Sequence, residues 1–312
     1  MKFKKAVLVE IEDLSLDKKY WNELDSLIEL RVSIDRKDPN FLGEVADADC
    51  LLVGFQIEVG KDVIDAAPNL KYIGVLATAY GTIDFAYAAA KNIPVCNLAG
   101  YSTEAVAEFT ITIILWHLRQ LEEGLSRAKK GDYSFEGMSA RELKNSEFGV
   151  IGLGSIGNRV AELAAGFGAK VSYWSRNKKE APFKYKELND LLSSSDYISV
   201  NVAETPETTN LLNKDNLSLI KPEAILVSTV PPPVINTDDL AARLNKNDIT
   251  YIFDHADEMT KDDLAKLTAN KNCVALGPIG FITTEARKNK QEIFVGNIKA
   301  FLKGSPQNTV KL

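Results

Sequence analysis

The stretch GVIGLGSIGN, residues 149–158, spaces glycines at 152, 154 and 157, and its flanks restrict the possible fold more than any other part of the chain. An apolar, β-branched run precedes it, RVAELAAGFG follows at helical spacing, and AKVSYWSR supplies a second strand. A G-x-G-x-x-G turn between strand and helix is a phosphate cradle. Gly152 permits the tight turn, Gly154 lets the backbone approach a pyrophosphate, and Gly157 lets helix and strand pack closely. Ser155 and Ile156 open the helix, whose N-terminus attracts the phosphates. These five residues are the expected dinucleotide contacts.

The end of the next strand selects the dinucleotide, because an acid there accepts hydrogen bonds from the ribose 2′-OH of NAD. Ser175 stands at that position, 18 residues beyond Gly157, with Arg176, Lys178 and Lys179 after it. A hydroxyl and cations with no carboxylate suit a 2′-phosphate, so NADP(H) is the expected coenzyme. A solvated basic turn that leaves NAD(H) possible is the competing reading.

Strand-like runs alternate with helical patterns along the whole chain. KAVLVEI, LIELRVSI, ADCLLVGF, KYIGVLA and IPVCNL form a first series; FGVIGLG, AKVSYWSR, DYISVNV, AILVSTV, ITYIFDH and CVALGP form a second. This alternation predicts an α/β protein with two doubly wound parallel-sheet domains. Between the series, residues 102–121 read as one helix apolar nearly all round, capped by Ser102, with Glu104 complementing its dipole. A domain interface or a dimer contact would bury it. In the last segment, Ile293, Phe294, Ile298 and Phe301 fall at helical spacing before Gly304, predicting a helix that returns to the first domain.

Thirty-seven basic against 43 acidic residues give a net charge of −6, which excludes broad nucleic-acid or anionic-membrane binding. Cys50, Cys96 and Cys273 are scattered, without the paired spacing of a disulfide framework or a metal site. Free thiols fit a cytoplasmic protein. Glu10 and Glu12 interrupt the N-terminal apolar run before a signal sequence forms, and FTITIILWHL is too short to span a bilayer. A small-molecule ligand is the expected partner.

Four stretches carry a resemblance to a known family: VLATAYGTIDFAYAAAKNIPVCNLAGYSTEAVAEFT, the glycine loop, TPETTNLLNKDNLSLIKPEAILVST and GPIGFITTEA. Through them the chain resembles the D-isomer-specific 2-hydroxyacid dehydrogenases, most closely the glycerate and hydroxypyruvate reductase branch. The resemblance implies a flavodoxin-like substrate domain of residues 1–100 plus 281–312. A Rossmann coenzyme domain, residues 101–280, would be inserted in it. It also implies a homodimer. By similarity, Ala77 and Thr78 would offer backbone N–H groups to a substrate carboxylate, Thr103 would touch the coenzyme, and Val230 and Asp254 would flank the nicotinamide and its carboxamide.

The resemblance fails at the family's chemistry, which uses an arginine to grip the oxo acid, a histidine to protonate the forming alkoxide, and a glutamate to hold that histidine. In VSTVPPPVIN, residues 227–236, Pro231 stands where the arginine belongs, and Ile279 in GPIG stands where the histidine belongs. Three consecutive prolines donate no backbone hydrogen bond, so an anion finds neither charge nor donor there. Glu258 is the candidate for the acid, with Asp257 or Met259 as the alternatives in register. His255, directly after Asp254, and Tyr80, in the turn after VLA, are candidate proton donors. Strand alternation would point His255 away from the side that Asp254 faces. Two functions compete: an NADP(H)-dependent oxidoreductase with a rebuilt site, and a non-catalytic NADP(H)-binding protein that senses or docks a partner. An ordinary 2-oxo acid reductase requires a different register around 231 and 279.

Overall fold

The structure is a computed structural model that describes every residue except Gln56, Ala79, Gly81, Lys311 and Leu312. Its strands are β1 Phe3–Val9, β2 Ile28–Ile34, β3 Cys50–Val53, β4 Tyr72–Val75, β5 Val95–Cys96, β6 Glu147–Ile151, β7 Lys170–Trp174, β8 Lys184–Tyr185, β9 Tyr197–Val200, β10 Ile225–Ser228, β11 Thr250–Phe253 and β12 Cys273–Ala275. The helices are α1 Lys18–Asp25, α2 Phe41–Val45, α3 Lys61–Ala66, α4 Phe85–Ala90, α5 Thr103–Leu118, α6 Leu121–Lys129, α7 Ser155–Gly166, α8 Leu188–Ser194, α9 Lys214–Leu217, α10 Thr237–Leu244, α11 Lys261–Thr268 and α12 Thr284–Leu302. They belong to two compact units, Met1–Ser102 with Thr283–Leu312, and Thr103–Ile282.

The first unit is built on a five-stranded sheet in the order β2-β1-β3-β4-β5, and every pairing is parallel. β3 and β4 are buried at every residue, as expected where helices cover both faces. The C-terminal helix α12 completes one face. Thr283 caps it by accepting the Ala286 N–H, and Phe294, Val295 and Ile298 are fully buried, each contributing roughly 1.5–3 kcal/mol by transfer from water. Phe301 stacks on Phe3 at 5.6 Å, which fixes the helix against β1. The helix read from the spacing of these apolar residues is therefore present.

The second unit holds a seven-stranded parallel sheet in the order β12-β11-β10-β9-β6-β7-β8. The chain leaves β6 toward β7 and β8, then returns to β9 on the other side. That reversal opens a crevice at the carboxyl ends of β6 and β9, where such sheets bind ligands. The short edge strand β8 has no counterpart in the sequence reading, since two residues carry no periodicity. The single helix expected over residues 102–121 is also corrected: α5 ends at Leu118, Gln120 takes a left-handed conformation (φ 49°), and Leu121 starts α6. Glu104 does more than meet a helix dipole, because Arg159 of α7 grips its two oxygens at 2.7 and 2.8 Å. No helix among the described residues is long and apolar enough to cross a membrane.

Candidate functional site

The glycine loop begins as β6 ends. Gly152 has φ +94°, and its N–H bonds Trp174 O at 2.8 Å, tying the turn to β7. A Cβ at Gly157 would lie 1.9 Å from Gly152 O, so α7 rests directly on the turn. Gly154 differs from both. Its φ of −78° suits any residue, and a Cβ there would meet no protein atom within 4 Å. Nothing in the protein itself requires a glycine at 154. The free N–H groups of the first turn of α7, starting at Ser155 and Ile156, and this open approach form an anion cradle.

Beside the loop, Ser175 is buried and its hydroxyl donates to Asn177 O at 2.7 Å. Arg176 is exposed and lies 3.9 Å from the Glu207 carboxylate, and Lys178 is exposed. Lys179 does not join them, since its ammonium donates to Leu153 O at 2.7 Å and braces the glycine loop from below. Glu207 was missed as a site residue, and Lys179, read as one of the cations after Ser175, takes a different role. A basic run reads as one patch until the fold separates its members, and Glu207 lies 31 residues from Arg176 in sequence.

At the carboxyl ends of β9, β10 and β11, three neighbouring strands, buried polar atoms lack partners: Asn201 Oδ1, Thr229 Oγ1 and Asp254 Oδ1. Val230, beside Thr229, is buried. Asp254 is 3 % exposed, and burial pushes its carboxyl above the usual range, although His255 and the Gly280 N–H favour the charged form. A Cβ at Gly280 would lie 2.6 Å from Asp254 Oδ2, so the last glycine of GPIG keeps room for this carboxylate. The sequence offers that glycine as a signal, but not its neighbour.

His255 does not point away from Asp254. β11 stops at Phe253, a 3-10 turn follows, and strand alternation no longer governs the side chain. Its Nε2 lies 3.7 Å from Asp254 Oδ1, while Nδ1 faces Glu258 Oε1 at 3.2 Å without the alignment of a hydrogen bond. The imidazole is thus held between two carboxylates. Pro231 (φ −53°) leads into a 3-10 turn over Pro232–Val234, where first-turn N–H groups would be free in any case. The triplet's carbonyls are used: Pro231 O accepts from Val234 at 3.3 Å, Pro232 O from Ile235 at 3.0 Å and Pro233 O from Asn210 at 2.8 Å, while Val234 O accepts from Leu212 at 3.2 Å. Ile279 is 53 % exposed in the chain.

In the first unit, Ala77 O accepts the Leu98 N–H at 3.0 Å and Thr78 O accepts from Asn97 at 2.7 Å, so both carbonyls hold the turn after β4. The Tyr80 ring packs edge-on against Phe85 at 5.4 Å. Thr103 is the first residue of α5.

Residues 111–278 match the family model described as D-isomer specific 2-hydroxyacid dehydrogenase, NAD binding domain. Hydroxypyruvate reductase from Blautia hydrogenotrophica is 32 % identical over 307 residues, covering 93 % of this chain and 94 % of that protein. D-Lactate dehydrogenase from Aquifex aeolicus, solved with NAD and lactic acid, is 27 % identical with a TM-score of 0.83, over 96 % of each chain. An acyclic imino acid reductase solved with NADPH and D-Arg shares the fold at a TM-score of 0.88 and 24 % identity, over 98 % of this chain and 100 % of that one.

Proposed function

The chain belongs to the D-isomer specific 2-hydroxyacid dehydrogenase family, and on that premise we propose that it is an oxidoreductase that prefers NADP(H) to NAD(H) and has a rebuilt substrate site. The observation that carries the coenzyme reading is the glycine turn, in which Gly152 has φ +94°, Gly157 rests against Gly152 O, and Gly154 leaves the approach to the first turn of α7 open. The orphaned Asp254 Oδ1 adds to it, because a carboxamide N–H would satisfy it beside Val230. Reduced nicotinamide supplies a hydride when bound. Gly152, Gly154, Ser155, Ile156 and Gly157 would hold the pyrophosphate by backbone N–H groups, and Thr103 would add a side-chain contact. Arg176 and Lys178 would meet a 2′-phosphate. Ser175 would donate to that phosphate only by releasing Asn177 O, which now accepts its hydrogen bond.

The substrate site carries Pro231 and Ile279 where the family's arginine and histidine belong. Without a guanidinium, Ala77 and Thr78 would be left to hold a carboxylate by backbone N–H groups alone. His255, Glu258 and Tyr80 are the residues left to move a proton, and His255, between two carboxylates, is the best supported of them. Apolar side chains exposed at Leu121, Leu125, Tyr133 and Phe135 fit burial against a second copy, in keeping with a homodimer.

Fluorescence titration with NADPH and NADH tests the coenzyme assignment. Arg176→Ala should weaken NADPH at least about tenfold, the size of a charge-assisted phosphate contact, and leave NADH nearly unchanged. Equal effects on both coenzymes would remove the preference.

A further inference from the structure

In open parallel sheets a ligand sits outside the carboxyl ends of the strands, so the charges in those loops are the ones a substrate meets. In the second unit, residues 201–213 after β9, 229–236 after β10, 254–260 after β11 and 276–283 after β12 contain Glu204, Glu207, Asp254, Asp257 and Glu258, but no lysine or arginine.

Cations at strand ends occur elsewhere. Arg176, Lys178 and Lys179 follow β7, and the coenzyme reading uses the first two. Lys186 follows the edge strand β8 and bonds Ser194 at 2.8 Å. Arg36 and Lys37 follow the edge strand β2, and Arg36 donates to Glu58 O at 3.1 Å. The loops after β9, β10, β11 and β12 therefore contribute no lysine or arginine of their own, and Arg176, from the loop after β7, lies 3.9 Å from Glu207.

Resting on the coenzyme reading above, we propose that the electrophile is an iminium, a protonated or alkylated C=N⁺, rather than a 2-oxo acid. The hydride forms a C–H bond at the iminium carbon, the C=N π pair moves onto nitrogen, and the coenzyme is left oxidised. The amine product is neutral and takes a proton from water afterwards. One change of substrate then accounts for both departures from the family's chemistry. A carbonyl needs a proton delivered to the forming alkoxide, whereas an iminium arrives already charged, so Ile279 in place of a histidine removes nothing the reaction needs. A guanidinium at 231 would repel the cation, and Pro231 carries no charge. The carboxylates around the strand ends favour a positive ligand over an anion.

The test uses purified full-length protein, NADPH and four probes: N-methyl-1-pyrrolinium, a permanent cation; 1-pyrroline, which titrates; cyclopentanone, a neutral ring of the same size; and glyoxylate, an anion. NADPH oxidation is measured above the protein-free rate. N-methyl-1-pyrrolinium is expected to react at least about 100-fold faster than cyclopentanone or glyoxylate, the lower range of what a missing proton donor costs carbonyl reduction. Its advantage over 1-pyrroline should grow as pH rises through the 1-pyrroline pKa, where that probe loses its charge. Reduction of glyoxylate or cyclopentanone as fast as the pyrrolinium overturns the proposal. No turnover of either nitrogen probe, with NADPH still quenching protein fluorescence, overturns the substrate class and leaves the coenzyme reading standing. Failure to bind NADPH at all overturns both.

Discussion

Alanine at positions 154 and 157 should separate what the glycine loop does for the protein from what it does for the coenzyme. At 157 the added Cβ would lie 1.9 Å from Gly152 O, and no side chain is available to rotate away. Restoring an ordinary contact requires α7 to retreat by about 1.5 Å, an overpacking cost of roughly 1–3 kcal/mol. At 154 the added methyl meets no protein atom. Alanine is a poorer N-cap than glycine by about 0.5–1 kcal/mol, while the loss of unfolded-state freedom returns about 0.4–1 kcal/mol. The two nearly cancel, so Gly154→Ala should change stability by less than about 0.5 kcal/mol. It should nevertheless weaken the coenzyme roughly 10- to 100-fold, because the methyl occupies the approach to a charge-assisted phosphate contact of about 1.5–3 kcal/mol. Urea denaturation gives the first quantity and NADPH fluorescence titration the second. Gly157→Ala should lose on both. If Gly154→Ala binds NADPH like the unmodified protein, the cradle is not a pyrophosphate site and the reasoning fails.

Two further perturbations test other parts of the structure. Asp254→Asn should raise the urea midpoint at pH 7 while weakening coenzyme. Burial holds the Asp254 carboxyl above its ordinary value of 3.8, so the fold prefers the neutral form, and stability declines as pH climbs from the unfolded value through the folded one. The gain from asparagine should therefore vanish below about pH 3.8, and a gain that persists there would refute burial of the charge as its cause. Arg243, with its side chain only 4 % exposed, donates to Leu217 O at 3.2 Å and Ile220 O at 2.7 Å and pairs with Asp248. Arg243→Ala should cost about 3–5 kcal/mol in urea unfolding, since it strands two carbonyls and a carboxylate.

The fold was largely legible because its strands are short apolar runs whose burial on both faces leaves no competing pattern. β3, β4, β9 and β10 are buried at every residue, and each stands in a quoted run of the sequence. What escaped had no periodic signal. β8 is two residues long, and the break between α5 and α6 depends on one left-handed residue, Gln120, within a sequence that stays helix-forming. In the glycine turn, Gly152 and Gly157 were legible because each answers to a backbone constraint, and Gly154 through its place in the spacing between them. Lys179 was not, because its role depends on where Leu153 O lies once the turn has formed.

The proline triplet shows the same limit from the opposite direction. The sequence displays what prolines lack, three N–H groups, and from this the absence of an anion grip at 231 follows. It does not display what they keep. Two carbonyls of the turn accept from Asn210 and Leu212, so the exit of β10 is tied to the loop after β9 without needing a donor of its own. Asn201, at the start of that loop, holds a buried unpartnered amide oxygen, and Thr229, two residues before Pro231, holds a buried unpartnered hydroxyl that can donate or accept. A segment with no donors therefore sits beside an amide oxygen still waiting for one. That arrangement favours a ligand that brings N–H groups to these strand ends over one that brings a carboxylate. The carboxamide of a nicotinamide and a protonated nitrogen on a substrate both meet that requirement, and the oxygens of a 2-oxo acid do not.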